Sequence, residues 1–216
     1  AYSILWPYVR RSLNRLLAEH PCSLIVSVHQ LINTPVSRAA AKYHTPFATV
    51  VTDLVSTHAA WYCTHADMVV VPTRIAYQRG LMLGLKAEQM RIVGLPVADR
   101  FCQPAGTKDE LREKLGWRKD LPVAVLVGGG EGMGPLAAVA KAINQQYMPM
   151  QLIVIAGRNH VLKEQLERMQ WNMPVKIYGF VQDMPDFMRA ADMLITKAGP
   201  GTICEAFIAG LPLILY

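Results

Sequence analysis

Lys197-Ala198-Gly199-Pro200-Gly201-Thr202-Ile203-Cys204-Glu205 follows directly on the apolar run Asp192-Met193-Leu194-Ile195-Thr196. The order reads as a strand, a tight turn and the start of a helix. Two glycines flanking a proline allow a sharp reversal and a close approach of ligand to backbone. The helix that opens there has free N–H groups that attract anions, and a phosphate is the expected one. Glu205, about one turn into that helix, is placed to accept hydrogen bonds from both hydroxyls of a ribose. A phosphate and a ribose together point to a nucleotide.

A second segment has the same grammar. Leu121-Pro122-Val123-Ala124-Val125-Leu126-Val127 runs into Gly128-Gly129-Gly130-Glu131-Gly132-Met133-Gly134-Pro135, and good helix formers continue from Leu136 to Ile143. Pro135 suits a first helical turn, where a missing N–H leaves nothing unpaired. The glycine spacing does not match the G-x-G-x-x-G dinucleotide fingerprint, and no glycine precedes Lys-Ser or Lys-Thr as a P-loop requires. A single glycine-rich turn is ordinary topology. Two of them after strands of one sheet indicate a shared ligand.

The rest of the chain fits parallel α/β architecture. The 216 residues are 52% hydrophobic, enough for strands buried on both faces. The first-half strands are expected at Cys22–Val28, Phe47–Thr52 and Met68–Pro72. Those of the second half are expected at Val123–Val127, Gln151–Ala156, Val175–Tyr178, Met193–Thr196 and Leu211–Leu215, with helices between them. The interval Pro96 to Pro122, with a charged helix from about Lys108 to Leu115, reads as the interdomain connection. No apolar run approaches the roughly 18 residues that span a bilayer, and the opening residues show no basic leader or cleavage pattern. Cys22, Cys63, Cys102 and Cys204 are widely spaced, as expected of reduced thiols in a cytoplasmic setting.

The net charge of +6 is uneven. Residues 1–105 carry ten Lys and Arg against five Asp and Glu, and residues 106–216 carry twelve against eleven. The basic first half suits an anionic membrane surface, with anionic lipids as partners, at about 1 kcal/mol per basic residue near the surface. Nucleic acid is not expected, because the arginines are not interleaved with aromatics in a recognised pattern. Residues 4–20 can form an amphipathic helix with Leu5, Val9, Leu13, Leu16 and Leu17 on one side. It suits a helix packed on the sheet better than one lying on a membrane, since a strand follows within a few residues.

The pair Gly-Gly-Gly-Glu-Gly-Met-Gly-Pro and Lys-Ala-Gly-Pro-Gly-Thr-Ile-x-Glu-Ala resembles the monogalactosyldiacylglycerol synthases. These are relatives of bacterial diacylglycerol glucosyltransferases and of the peptidoglycan enzyme that adds N-acetylglucosamine to lipid I. Val26-Ser27-Val28-His29, Val51-Thr52-Asp53-Leu54, Gly94-Leu95-Pro96-Val97, Gly157-Arg158-Asn159 and Gly179-Phe180-Val181 extend the resemblance along nearly the whole chain. It implies an α/β fold of the GT-B type, two Rossmann-like domains with parallel sheets. Residues 1–105 would be the acceptor-side domain and residues 106–216 the UDP-sugar-binding domain. Full-length members begin with a glycine-rich loop ending in histidine and end beyond the last strand in a Gly-Gln-Glu-x-x-Asn type segment. Neither is present, so the resemblance implies a fragment with both domains incomplete at the chain ends.

The activity implied is transfer of a hexose, galactose in preference to glucose, from a UDP-hexose to the hydroxyl of diacylglycerol with inversion, by a protein peripheral on a membrane surface. Another lipid acceptor, such as a peptidoglycan lipid precursor or a sterol, and an inactive UDP-binding fragment are the alternatives. By the resemblance, UDP-sugar contacts fall to Gly130, Glu131, Gly132, Met133, Gly134, Arg158, Phe180, Val181, Lys197, Gly199, Pro200, Gly201, Thr202 and Glu205. Glu131 is not expected to face the phosphate, which it would repel. Phe180 reads equally well as core. No Asp-x-Asp motif occurs, so no metal-bridged diphosphate and no cofactor are indicated; helix ends and backbone donors can carry the charge. His58 and Asp53, after the strand ending near Thr52, are the catalytic candidates, His58 orienting or deprotonating the acceptor and Asp53 holding its ring or the hydroxyl. The alternative makes Asp53 a turn cap and His58 a solvated loop residue. The spacing of His58, Cys63 and His65 fits no standard zinc site.

Overall fold

The computed structural model describes residues 2–103, 106–132 and 134–216. It divides into two compact units, Ala1–Pro96 and Val97–Tyr216. Each holds a wholly parallel sheet.

In the first unit the sheet order is β1-β2-β3-β4, with β1 Ile25–Ser27, β2 Phe47–Val50, β3 Met68–Val71 and β4 Met90–Ile92. β4 is not apparent in the sequence, where Met-Arg-Ile is too short to show a period; its pairing with β3 is what makes it a strand. β1 is shorter than the expected Cys22–Val28 and stands at the edge of the sheet. Helices α2 (Asn33–Lys42) and α3 (Arg74–Met82) pack on a core of Phe47, Val51, Trp61, Val69, Val71 and Met90. The Thr73 hydroxyl accepts from the Ala76 N–H at 3.1 Å and so caps α3. Helix α1 (Tyr2–Glu19) lies against α2, Leu13 packs on this core, and the Tyr43 hydroxyl donates to the Asn14 carbonyl at 2.9 Å. Val9, Leu13 and Leu17 of its apolar stripe are half-buried, whereas Leu16 is exposed and Arg10, Arg11 and Arg15 face solvent.

The second unit is doubly wound. Strands β5 Val123–Val127, β6 Gln151–Ile155, β7 Val175–Tyr178, β8 Met193–Thr196 and β9 Leu213–Leu215 stand in the order β7-β6-β5-β8-β9. Every residue of β5 and β6 is buried, and alternate positions feed different cores. Ala124 and Leu126 join Leu136, Ala140, Leu162 and Leu166, the buried side of α5 (Leu136–Asn144) and α6 (His160–Glu167). Val123, Val125 and Val127 join Leu111, Trp117, Phe187, Met188 and Ala206, contributed in part by α4 (Lys108–Leu115), α7 (Met184–Ala190) and α8 (Pro200–Ile208). Continuous Val/Ile/Leu runs are the signature of strands covered on both faces. Pro135 stands at the N-cap of α5, one position ahead of the expected first turn.

The stretch Pro96 to Pro122, read from sequence as a connection, is built into this second unit. Phe101 and Trp117 enter its core, and Arg189 donates to the Phe101 carbonyl at 2.8 Å. Helix α4 carries a capping box, Thr107 with Glu110, and stops at Gly116 with φ 64°. Arg112 is 5% exposed and donates to the Ala190 and Leu121 carbonyls and to Asp192. Asp192 also accepts from the Val123 N–H at 2.7 Å and from Lys108. One carboxylate thus joins α4 to the starts of β5 and β8. Burial pushes the Asp192 carboxyl up, but the hydrogen bonds from Lys108, Val123 and Arg112 outweigh it and hold the pKa below its ordinary value.

Replacing Arg112 leaves that carboxylate short of a partner and two carbonyls unpaired. Arg112→Ala should cost about 3 kcal/mol or more of stability, read from the denaturant midpoint. The Asp192 contribution is complete above the unfolded carboxyl pKa and is lost as pH falls through the lowered folded value. Wild type and Asp192→Asn should therefore converge in stability as pH falls through that lowered value.

Candidate functional site

In the second unit the chain leaves β5 toward β6 on one side and returns from β7 to β8 on the other. The turns after β5 and β8 therefore diverge and leave a crevice at the carboxyl ends of the strands. Glycine shapes its walls. Gly132 has φ 60°, and a Cβ there would fall on the Ala156 carbonyl; Gly157 has φ 61°, and a Cβ would fall on the Gly130 carbonyl. The Arg158 N–H donates to that same Gly130 carbonyl at 2.9 Å. The loops after β5 and β6 are thus locked backbone to backbone, an approach closer than any side chain allows.

Beside them the turn after β8 opens α8. Gly199 is the N-cap and Pro200 the first helical residue, so the N–H groups of Gly201 and Thr202 are left without acceptors in the helix. Between the loops lies a cavity of about 240 Å³, whose lining includes Arg100, Gly129, Gly130, Phe180, Thr202 and Glu205. The Glu205 carboxyl is half-buried; burial raises its pKa and the nearby Arg100 partly opposes the rise.

Of the expected contacts, the structure brings Gly130, Phe180, Val181, Thr202 and Glu205 onto this cavity. Lys197, Gly199, Pro200 and Gly201 form the turn beside it, and Gly132 and Gly134 continue the loop after β5. Met133 lies outside the described residues. Glu131 pairs with Arg158, whose guanidinium stands 4.3 Å over the Phe180 ring. Phe180 is 50% exposed, so of its two readings the core one fails. Val181 packs in part against the core. Arg100, Phe101 and Met184 also line the cavity and were not anticipated. They come from a short turn and a helix start that lack the strand–glycine–helix grammar, and only the neighbouring Gly94-Leu95-Pro96-Val97 hints at them.

In the first unit the catalytic candidates follow β2. Asp53 does not hold His58. Its carboxylate accepts from the Trp61 indole N–H at 2.7 Å, and the His58 Nδ1 accepts from the Ala60 N–H at 3.1 Å, capping a short 3₁₀ turn. A neutral imidazole whose Nδ1 accepts carries its proton on Nε2. His58 in this state offers a donor, and it can take a proton only by giving up the cap. His29, after β1, caps a matching turn through Nδ1. The two turns are tied by Asn33, fully buried, which accepts from Ser27 and donates to the Ala60 and Trp61 carbonyls at 3.2 Å each. That asparagine was not singled out from sequence, because its partners lie almost thirty residues away. Among the described residues no group of three or more His, Cys, Asp or Glu side chains is placed to hold a metal ion.

Residues 1–97 match the monogalactosyldiacylglycerol (MGDG) synthase family model, and residues 123–216 match the glycosyltransferase family 28 C-terminal domain. A probable chloroplastic MGDG synthase 2 of Oryza sativa subsp. japonica is 42% identical over 89% of the chain. The chain belongs to the monogalactosyldiacylglycerol synthase family. MGDG synthase 1 of Arabidopsis thaliana is 37% identical over 96% of the chain. The chain spans 43% and 41% of the lengths of these two relatives.

Solved structures of the same fold include Anabaena HepE in complex with UDP-glucose, with a TM-score of 0.62 at 18% identity, covering 97% of this chain and 63% of that one. Acinetobacter baumannii MurG gives 0.64 at 18% identity, over 95% of this chain and 55% of that one. The fold is of the GT-B type, as the family resemblance implies.

Two consequences are measurable. Gly157→Ala must strain a positive φ and displace the loop after β5, which should cost about 1–3 kcal/mol in thermal or denaturant unfolding. Glu205 is the opposite case. Its raised pKa means the folded state prefers the protonated carboxyl, so stability is fully present at low pH and is lost as pH rises through that value. Glu205→Gln should therefore raise the melting temperature of the free chain at pH 7 and flatten its dependence on pH.

Proposed function

We propose that this chain carries the donor site and part of the acceptor domain of an inverting glycosyltransferase. It moves a hexose, galactose before glucose, from a UDP-hexose to the free hydroxyl of 1,2-diacylglycerol and so makes a membrane glycolipid. The observation that carries this reading is the half-buried Glu205 on the cavity at the β5–β8 divergence, in a chain of the MGDG synthase family. Glu205 accepts from the ribose hydroxyls. The exposed face of Phe180 and the Arg158 guanidinium stacked on it offer the uracil a planar wall. The loop amides after β5 and the first N–H groups of α8 receive the phosphates.

In the transfer the acceptor oxygen attacks the anomeric carbon. The bond from that carbon to the β-phosphate oxygen breaks with its electron pair on the phosphate, and the acceptor proton passes to a base. Asp53, engaged by Trp61 through one oxygen, is the better placed of the two candidates to receive it, and His58 contributes its Nε2 proton as a donor. Among the described residues no helix is long and apolar enough to cross a membrane. We infer peripheral attachment through the basic first unit, with anionic lipids as surface partners.

UDP should bind this chain in calorimetry in preference to ADP and GDP. Glu205→Ala should weaken UDP by about 1–3 kcal/mol, the loss of a charge-assisted hydrogen-bond partner, while circular dichroism stays unchanged. Equal affinity for UDP in the folded variant would remove Glu205 from the site. Incubation of a longer form with labelled UDP-galactose or UDP-glucose and lipid acceptors identifies the product. A sterol or lipid-linked saccharide product would replace diacylglycerol as acceptor.

A further inference from the structure

We propose that the outward face of α3 is the surface by which the first unit lies on an anionic phospholipid bilayer; the inference rests on the peripheral attachment inferred above and names the residues that make it. The helix is packed the reverse of the usual way. Its buried residues are the small Ala76 and Gly80. A Cβ on Gly80 would stand 2.5 Å from the Met90 sulfur and 3.2 Å from the Tyr62 ring, so the helix sits too close for a larger residue there. The large apolar side chains point outward instead: Ile75 is 54% exposed, Met82 is 78% exposed and Leu81 is exposed as well. A helix whose only role is to cover a core turns such residues inward.

Charge identifies the occupant. The helix reads Arg74-Ile75-Ala76-Tyr77-Gln78-Arg79-Gly80-Leu81-Met82 and carries no acidic residue. Arg74 and Arg79 are exposed, and among the described residues neither is in an ion pair. At about 3.6 residues per turn, Ile75, Gln78, Arg79 and Met82 fall on the side opposite Ala76 and Gly80. Apolar side chains interleaved with arginines, without carboxylates, match a bilayer of anionic lipid: the guanidinium groups meet phosphates while the apolar groups enter the acyl boundary. A bilayer answers both parts of the face at once, and the acceptor proposed above resides in one.

Hydrogen bonds join this helix to the acceptor-side loops. The Thr73 hydroxyl, which caps α3, donates to the carbonyl of Leu54 at 2.7 Å, one residue after Asp53. The Tyr62 hydroxyl donates to the Ala76 carbonyl at 2.8 Å and stands 2.6 Å from the hydroxyl of Thr57, the residue before His58. Val55, also exposed, extends the apolar surface from the helix start. Seating α3 on the headgroups therefore brings the loop of Asp53 and His58 to the bilayer surface, where a lipid hydroxyl emerges. A nine-residue helix with so few apolar side chains holds reversibly, so the attachment is sensitive to salt.

The test is sedimentation of this chain with vesicles of phosphatidylcholine alone and of phosphatidylcholine mixed with phosphatidylserine. The parent is compared with Ile75→Gln/Met82→Gln and with Arg74→Gln/Arg79→Gln, each checked for its fold by circular dichroism and thermal melting. Met82→Gln alone, at the most exposed apolar position of the helix, stands in should the apolar pair fail to fold. The parent should bind the mixed vesicles well above the neutral ones, and both double variants should lose about tenfold or more of that partition. Rising salt should release the parent more than the arginine variant, and Arg74→Lys/Arg79→Lys should recover binding. Undiminished binding by the folded variants overturns this proposal alone and leaves attachment to another face of the unit. Equal binding of the parent to both vesicles overturns the role given to anionic lipid. A parent chain that binds neither vesicle overturns peripheral attachment and this proposal with it, and leaves the face to an acidic protein.

Discussion

Burial of β5 on both faces is the constraint from which the site follows. A strand whose odd residues meet one helical layer and whose even residues meet another can exist only if the chain crosses over both faces of the sheet. Crossing both faces forces the connections to part company somewhere, and here they part between β5 and β8. The crevice is thus a by-product of covering the core. What the family adds is the chemistry of the two turns that flank it.

Those turns achieve closeness by subtraction. Gly132 against the Ala156 carbonyl and Gly157 against the Gly130 carbonyl each leave out a side chain where backbone must pass. The same region carries features that do nothing for folding: a half-buried carboxyl with a raised pKa at Glu205 and helix N–H groups without acceptors. The stability to tolerate them comes from elsewhere in the unit, notably the Arg112–Asp192 pair and the Trp117, Tyr178 and Phe187 ring cluster, in which Phe187 meets the other two edge-on.

Where sequence reading succeeded, the signal was local. The strands β5, β7 and β8 and the helix α4 lie where their patterns place them, because apolar runs bounded by glycine, proline or a capping box encode their own ends. Where it failed, the deciding partner was distant. β4 exists because β3 pairs with it, Arg112 is buried because Ala190 and Asp192 meet it, and Arg100 lines the cavity because Phe101 anchors its turn in the second core. Asn33 belongs to the same class: a helix-start asparagine by pattern, a fully buried bridge between two turns by contact.

Asp53 and His58 show how neighbours in sequence can lack the relation their spacing suggests. Asp53 and His58 both follow β2, and proximity in sequence suggests that one orients the other. Instead each is held by a separate group, Asp53 by the Trp61 indole and His58 by the Ala60 amide, and Asn33 fixes the backbone between those two anchors. The consequence is a division of capacity. His58 has its Nδ1 lone pair committed and its Nε2 proton outward, so it can donate without rearrangement. Asp53 receives the indole on one oxygen and keeps lone pairs on the other. The Asp53 carboxylate can therefore accept a further hydrogen bond as it stands, whereas the His58 Nδ1 can accept one only after a backbone cap is broken.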